Sequence, residues 1–359
     1  MQLLCVGDIG LAQDNLAEWE RLLPVGAVAG DGLRVLLNWE LPIGETINPA
    51  PRSSGPRLLA PPDSPRAIRR WSPGFATLAT NHILDAGEKG LANTIGALHR
   101  AGFTTVGAGR SQEEITRPLL WETVEGTLAV VNWVFPETHP DWMSVPGPNC
   151  WPGLEGAQRT IQELRCGADW VLIVVHWSDE LLPYPRPEDR AIARELAQMG
   201  ADMIVGHHPH VVRGMELIGS CPVFYSIGNF YFSDIPRSED GLVERQAPRN
   251  REALGVEVSF RRGQRPEYRV LSFWQARERV ASDSLRRAAR RMQHTSQPLR
   301  RLQGSAYAEW YAVKRARFFK WGYRLHFRPW QLGGRGLVRR WWRQRLGLWH
   351  EGRKGLGLR

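Results

Sequence analysis

Residues 201–230 have the sequence ADMIVGHHPHVVRGMELIGSCPVFYSIGNF. An apolar run from Met203 to Val205 is typical of a buried strand, and His207, His208 and His210 follow it closely. One histidine in such a position is usually an ordinary core or surface residue. Three imidazoles so close together require a shared charge or a shared ion, so this segment predicts a metal site at the end of a strand.

The rest of the first 283 residues alternates between apolar runs and helical patterns. Residues 87–102 and 188–202 have the spacing of amphipathic helices, and the first of these ends at Gly102. The alternation predicts an α/β domain built around largely buried sheets. The predicted strands are QLLCV, LRVLLN, FATLAT, TLAVVNWVF, WVLIVVH, DMIVGH and PVFYSIGNF. Segments rich in proline or charge predict loops at 49–73, 136–152 and 234–252, and residues 254–275 predict a hairpin that closes the domain.

The composition is that of a folded protein, with 42% hydrophobic and 23% charged residues among 359. None of the four cysteines, Cys5, Cys150, Cys166 and Cys221, forms a C-x-x-C pair, so no disulfide framework is predicted. The N-terminal MQLLCVGDIG lacks the features of a signal peptide, and we find no run of about 20 apolar residues that would span a bilayer. We therefore expect a cytoplasmic protein, with peripheral association at a membrane left open.

Basic charge is concentrated at the C-terminus. Residues 284–359 hold 20 lysines and arginines against two acidic residues, so they carry +18, whereas residues 1–283 carry −8. We therefore expect a domain at 1–283 and a basic, aromatic-rich helical tail at 284–359. Arginines between tryptophans favour an anionic membrane surface or another acidic partner, with single-stranded nucleic acid as the less favoured alternative. The remaining alternative is that Trp310, Phe318 and Trp321 simply pack on the domain.

Five predicted strands end in residues that can bind a metal or transfer a proton. In α/β sheets, ligands bind beyond the carboxyl ends of the strands, so these side chains should meet at one edge. Carboxylate, carboxamide and imidazole together suit a divalent transition metal such as Mn, Fe or Zn. The strand-end residues are Asp8, Glu40, Asn81 with His82, His176, and the histidines of 207–210.

The order of these motifs resembles the capsule-synthesis CapA family, which is tied to poly-gamma-glutamate biosynthesis and is similar to the calcineurin-like metallophosphoesterases. The motifs are Asp8, Glu40, TNHILDAG at 80–87, VVHW at 174–177, and GHHPHV with YSIGNF within 206–230. The resemblance covers roughly residues 3–235. It implies a four-layer α-β-β-α sandwich.

The resemblance also implies a role for each residue of the motifs. His82 would donate a proton to the leaving group, and Asp85 would orient it. Asn229 would contact substrate or stabilise a turn. GHHPH is one residue longer than the usual G-H-x-H, so His207 could replace His208 as a ligand. Gly10 stands where a histidine ligand is usual, which leaves open whether one ion or two are bound. The implied metal ligands are Asp8, Glu40, Asn81, His176, His208 and His210.

Together these features predict a metal-dependent hydrolase. Its substrate would be a phosphoester, or an amide of an anionic polymer, in capsule, exopolysaccharide or poly-gamma-glutamate metabolism. The alternative is a non-catalytic accessory protein for capsular polymer synthesis or export that keeps the metal-binding fold. A divalent metal is expected in either case.

Overall fold

The apolar runs predicted as strands form two mixed β-sheets. The computed structural model describes residues 1–12, 32–46, 57–138, 145–236, 243–276 and 279–323. The first sheet contains β1 (Gln2–Gly10), β2 (Leu33–Trp39), β3 (Gly74–Thr77), β4 (Phe103–Val106), β13 (Asn229–Phe232), β16 (Glu252–Ser259), β17 (Glu267–Gln275) and β18 (Val280–Ser282). Their order is β18-β17-β16-β1-β2-β3-β4, and β13 also pairs with β1. Strands β1 to β4 are parallel, whereas β16 to β18 are antiparallel additions.

The second sheet contains β6 (Leu119–Thr123), β7 (Gly126–Val134), β9 (Trp170–His176), β10 (Met203–His207), β11 (Met215–Ile218) and β12 (Cys221–Phe224). Its order is β11-β12-β10-β9-β7-β6. The central strands β7, β9, β10 and β12 are parallel, and the edge strands β6 and β11 are antiparallel to their neighbours. Continuous apolar runs such as WVLIVVH fit this arrangement because a central parallel strand is buried on both faces.

Helices cover the outer face of each sheet. They are α1 (Gly87–Arg100) on the first sheet, and α3 (Gly153–Arg165) and α4 (Pro187–Met199) on the second. The short helix α2 (Gln112–Thr116) packs instead on residues 108–109. Helix α1 buries Leu91 and Leu98 against the first sheet, and α4 buries Leu196 against the second. After α4, Gly200 has a φ of 113°, a left-handed conformation that glycine adopts without strain and that commonly ends a helix.

Three apolar clusters separate the layers. One lies between α1 and the first sheet, one lies between the two sheets, and one lies between the second sheet and helices α3 and α4. The middle cluster includes Cys5 and Val256 of the first sheet with Val174 and Val205 of the second. The architecture is therefore a four-layer α-β-β-α sandwich, and the predicted fold class is confirmed.

The regions predicted as loops contain only short elements among the described residues. They are the 3-10 turns Ser64–Ala67, Arg69–Trp71 and Pro248–Arg251, and the two-residue strands β8 (Gly147–Pro148), β14 (Ile235–Pro236) and β15 (Val243–Glu244). Strand β5 (Ala108–Gly109) lies outside these regions and pairs with β8. The hairpin predicted at 254–275 is confirmed as β16 and β17.

Within residues 284–323, the described part of the predicted tail, there are two helices, α5 (Arg287–Arg301) and α6 (Gly304–Arg317), and a π-helical turn at Phe318–Gly322. Helix α6 buries Tyr307 and Tyr311 in the same cluster as α4, and Phe318 is buried beside them. Trp321 is 56% exposed. The first part of the predicted tail thus packs on the sandwich, and residues 324–359 lie outside the described part of the chain. Among the described helices, none combines the length and the apolar character needed to cross a membrane.

Candidate metal centre

Side chains from distant parts of the sequence meet where strands of both sheets end. Asp8 lies near the end of β1, and Glu40 directly follows β2. Asn81 lies in the turn after β3, His176 ends β9 and His207 ends β10. The convergence predicted for the carboxyl ends of parallel strands is therefore present in the structure.

Asp8 is fully buried and is held through one oxygen. Asn38 Nδ2 and His207 Nδ1 donate to Asp8 Oδ1 over 3.0 and 2.7 Å. Asn38 Oδ1 in turn accepts a hydrogen bond from Thr77 over 3.0 Å. Burial alone would raise the pKa of the Asp8 carboxyl, but His207 and His210 outweigh it and hold that pKa far below its usual range. Asp8 is therefore an ionised carboxylate whose orientation is fixed by its neighbours.

The position of Asp8 depends on a close approach of two backbones at Gly7. A Cβ on Gly7 would lie 1.9 Å from the carbonyl oxygen of Gly228, so no side chain fits there. This approach lets the Asp8 amide donate to that carbonyl over 3.0 Å. It also pairs Asp8 with Asn229 across β1 and β13.

Asp8, Glu40 and His210 are the group best placed to hold an ion. One ligand atom from each lies within 4.8 Å of the others. His210 Nδ1 is 3.5 Å from Asp8 Oδ2 and its Nε2 is 3.3 Å from Glu40 Oε1, but neither contact has hydrogen-bond geometry. Within the described ranges, Asp8 Oδ2 and both Glu40 oxygens are buried without a hydrogen-bond partner. Buried carboxylate oxygens are costly unless something satisfies them, and a coordinated cation would do so.

The charges of this group oppose one another. Burial raises the pKa of Glu40 well above its usual value, and Asp8 and Glu180 add to that effect while His210 opposes it. Burial disfavours the charged form of His210, yet Glu40, Asp8 and Glu180 together raise its pKa to about 10. A proton on His210 thus supplies the positive charge between the two carboxyls. A divalent cation would supply that charge instead, so metal binding should release protons.

Two more histidines present neutral nitrogen atoms to the same space. His176 Nε2 donates to Asn81 Oδ1 over 2.9 Å. The ring centroid of His208 lies 4.8 Å from that of His176 and 5.9 Å from that of His210. Burial lowers the pKa of both His176 and His208 well below the usual value. Each has a buried Nδ1 without a hydrogen-bond partner in the described part of the chain, and a neutral imidazole nitrogen is a suitable metal ligand.

His82 and Asp85 form an oriented pair beside these residues. His82 Nδ1 donates to Asp85 Oδ2 over 2.6 Å, and the amide of Leu58 donates to the same oxygen over 2.8 Å. Both side chains are buried. The contact fixes the ring and places a proton on Nδ1. The orienting contact implied for Asp85 is thus present, and proton donation by His82 stays a prediction.

The two histidines that compete for one predicted role have different surroundings. His207 Nδ1 is engaged by Asp8, whereas the Nδ1 of His208 is the one without a partner in the described residues. His210 Nδ1 donates to Asn229 Oδ1 over 2.9 Å. This geometry favours His208 and His210 as ligands, with His207 supporting Asp8. Asn229 contacts a candidate ligand, so its place is at the centre of the site.

Gly10 marks the position where a histidine ligand was expected. A Cβ there would lie 2.5 Å from the ring of Phe232, which pairs with Gly10 across β1 and β13. The aromatic ring therefore fills the space that a side chain at this position would need.

Three residues near the site were missed in the sequence. Asn38 is an amide in an otherwise apolar strand, and that contrast was a usable signal. Glu180 influences the pKa values of Glu40 and His210 from a loop, and Arg213 is fully buried under the same loop. No spacing in the sequence distinguishes these two from ordinary surface charges.

The sequence model of a protein family, described as bacterial capsule synthesis protein PGA_cap, matches residues 15–234 of the chain. The chain belongs to this family. The family predicted from the motifs is therefore confirmed, and the site described above is a feature of a capsule synthesis family member.

Named relatives of this family member match over shorter segments. It is 32% identical over 160 residues to the PGA biosynthesis protein CapA of Bacillus subtilis (strain 168), which is 43% of this chain and 41% of that protein. It is 30% identical over 184 residues to the capsule biosynthesis protein CapA of Bacillus anthracis, and this segment is 49% of this chain and 44% of that protein. It is 31% identical over 183 residues to a probable polyglutamine synthesis accessory protein of Mycobacterium tuberculosis (strain ATCC 25618 / H37Rv), or 47% of each. The aligned segments therefore span less than half of each relative.

Solved structures include distant matches. A hypothetical protein from Thermus thermophilus aligns with a TM-score of 0.49 and 16% identity, over 77% of this chain and 100% of that one. A putative 5'-nucleotidase from Staphylococcus aureus aligns with a TM-score of 0.46 and 13% identity, over 84% and 58%.

Proposed function

We propose that this capsule synthesis family member is a metal-dependent hydrolase. The observation that carries the proposal is the buried group of Asp8, Glu40 and His210. One ligand atom from each lies within 4.8 Å of the others, and Asp8 Oδ2 and both Glu40 carboxylate oxygens lack hydrogen-bond partners within the described ranges. One or two ions of Mn, Fe or Zn fit a donor set of carboxylate, carboxamide and imidazole. When bound, such an ion polarises the scissile group and makes water a stronger nucleophile.

Each residue has an assigned task in this proposal. His207 and Asn38 hold Asp8 in place through its Oδ1. His82, oriented by Asp85, donates a proton to the leaving group. The residues that would hold the metal are Asp8, Glu40, Asn81, His176, His208 and His210.

The proposed substrate is a phosphoester or an amide bond in an anionic capsular polymer. The printed names of the relatives, PGA biosynthesis protein CapA and capsule biosynthesis protein CapA, support a polymer. The residues themselves support hydrolysis, because a metal centre beside an oriented histidine is equipped for it. We further propose that the basic C-terminal segment binds an anionic membrane surface or acidic partner, with nucleic acid less favoured.

A second candidate function is a non-catalytic accessory role in polymer synthesis or export. Two observations favour it. Phe232 fills the space at Gly10, where a histidine ligand is usual, so the site would have fewer metal ligands than the site of a two-ion enzyme. One relative is named as a probable polyglutamine synthesis accessory protein.

The deciding experiment begins with the metal content of protein purified without added metal. The same protein is then treated with a chelator, reloaded with Mn, Fe or Zn, and assayed against a panel of phosphoesters and against poly-gamma-glutamate. Turnover that disappears with the chelator and returns with metal supports the hydrolase. Stoichiometric metal with no turnover on any substrate favours the accessory role, and absence of bound metal under all loading conditions contradicts both.

A further inference from the structure

The loop between β9 and α4 lies directly beside the candidate metal centre. It begins after His176, and two of its residues, Ser178 and Leu181, have φ values of 78° and 62°. Residues other than glycine adopt this left-handed conformation at a cost, and they keep it only where their surroundings hold them. The loop must therefore be fixed by contacts from outside itself.

Arg213 holds the loop from the inside. Its guanidinium is fully buried, three residues after His210, and it donates to Ser178 Oγ and to the carbonyl oxygens of Asp179 and Leu182. The rigid, planar guanidinium therefore fixes the relative positions of three oxygen atoms of the loop.

The loop also bonds directly to the histidine segment. The amide of Leu181 donates to the carbonyl of Pro209 over 2.8 Å. Pro209 lies between His208 and His210, which themselves have φ values of 89° and 56°. Movement of the loop would therefore displace the backbone that carries both imidazoles.

Helix α6 holds the loop from the outside. Tyr311 Oη and Arg315 Nε both donate to Asp179 Oδ2, over 3.1 and 3.0 Å. Tyr307 Oη donates to the carbonyl of Pro185 over 2.7 Å. Burial alone would raise the pKa of Asp179, but Arg315 and other arginines outweigh it and lower that pKa. Asp179 is thus an ionised carboxylate and a strong acceptor for both donors.

We propose that helix α6 positions the metal-binding histidines: Tyr311 and Arg315 hold the Asp179 loop, and this loop holds the backbone of His208 and His210. Tyr311, Arg315 and Asp179 are positioning residues in this scheme. The part that concerns metal rests on the proposed function, whereas the mechanical coupling is a property of the chain. The start of the basic C-terminal segment would thus belong to the site.

The test uses the full-length double variant Tyr311→Phe/Arg315→Ala. The control is Arg317→Ala, which removes the same residue type from an exposed position of the same helix. Two measurements are made on each protein: the affinity and visible spectrum of bound Co²⁺, and hydrogen exchange of the amides of residues 178–182, His208 and His210 after chelator treatment. Residues that orient metal ligands typically change metal affinity about 10- to 100-fold when replaced. We expect a loss of at least about tenfold with a shifted spectrum, faster exchange in both segments, and no change in the control.

The variant Arg315→Lys retains the positive charge at this position, so it should bind Co²⁺ more tightly than the double variant does. The proposal is overturned if exchange rises only within α6, or if the double variant binds Co²⁺ with the affinity and spectrum of the control. If the unaltered protein binds no Co²⁺, the metal proposal fails separately, and exchange at the amides of His208 and His210 then decides the coupling alone. Should the double variant not fold, Tyr311→Phe alone removes one hydrogen bond to Asp179 and is measured in the same way.

Discussion

Neighbouring residues Asn81 and His82 face different partners. Asn81 Oδ1 accepts a hydrogen bond from His176 Nε2 over 2.9 Å, whereas His82 Nδ1 donates to Asp85 Oδ2 over 2.6 Å. The first contact joins Asn81 to a candidate ligand, and the second leaves His82 oriented by a carboxylate. Substitutions of the two residues should therefore have different consequences.

Replacement of His82 should impair chemistry and spare the metal. General acid catalysis typically contributes about a hundredfold to ten-thousandfold in rate, so His82→Ala should lose turnover by about that factor at near-normal metal content. The loss should shrink for a nitrophenyl ester, whose leaving group needs no proton. Asn81→Ala should instead weaken metal binding and regain activity in excess Mn. Loss of metal from His82→Ala as readily as from Asn81→Ala would assign His82 as a ligand.

The histidines of β9 and of the 207–210 segment should be required for metal. We expect His176→Ala and His210→Ala to lose bound divalent metal while keeping the fold, because each contributes a ligand rather than packing to the core. Elemental analysis after dialysis measures this loss. His99→Ala, an exposed histidine near the end of α1, is the matched control and should keep its metal. Equal metal content in all three variants would contradict the ligand assignment.

A metal ligand at position 10 should fit only when Phe232 is replaced by a smaller residue. Gly10→His alone should be destabilised by about 1–3 kcal/mol or more, because its Cβ would already lie 2.5 Å from the ring. Gly10→His combined with Phe232→Ala should bind more metal, or bind it more tightly, than Phe232→Ala alone. Isothermal titration with Mn²⁺ compares the two. Identical titrations would mean that position 10 does not face the bound ion.

The Asp179–Arg315 contact should make stability depend on pH in the acid range. The pKa of Asp179 is lowered in the folded protein, so its contribution is complete above the ordinary carboxyl pKa of about 3.9 and is lost as pH falls through the lower folded value. Denaturant unfolding of the unaltered protein and of Arg315→Ala should differ most above about pH 5 and converge in stronger acid. A difference that stays constant down to the lowest pH would exclude this ion pair as its source.

The end of the basic segment should bind anionic lipid without help from the sandwich. Residues 324–359 contain ten lysines and arginines and one acidic residue. Truncation after residue 323 spares the buried Tyr307, Tyr311 and Phe318, so it should abolish binding to vesicles containing phosphatidylserine and leave metal content unchanged. Vesicle co-sedimentation at two salt concentrations measures the binding. Full vesicle binding by the truncated protein would place the lipid contact elsewhere.

Much of the fold could be predicted because its signals are local. Apolar runs such as WVLIVVH predicted strands that are buried on both faces. Gly102 and Gly200 belong to the two segments predicted as helices and lie just beyond the last residues of α1 and α4. The strand-end positions of Asp8, His176 and His207 followed from the same runs. The short strands β4 and β6 were missed, because the structure of so short a segment is decided by what it packs against. Helix α3 was also missed, although its buried Ala157 and Ile161 have the spacing of one helix face.

The sequence by itself determined the layered α/β class, the family motifs and the residue types of the candidate site. Only the tertiary structure decided which side chains contact one another. Asn38 donates a hydrogen bond to Asp8, Phe232 fills the space beside Gly10, and Asp179 accepts hydrogen bonds from Tyr311 and Arg315. Local patterns record whether a side chain is buried and how the backbone runs, since both depend on neighbours in the chain. Contacts between residues on different strands and helices depend on how those elements pack together, and no spacing in the sequence records that.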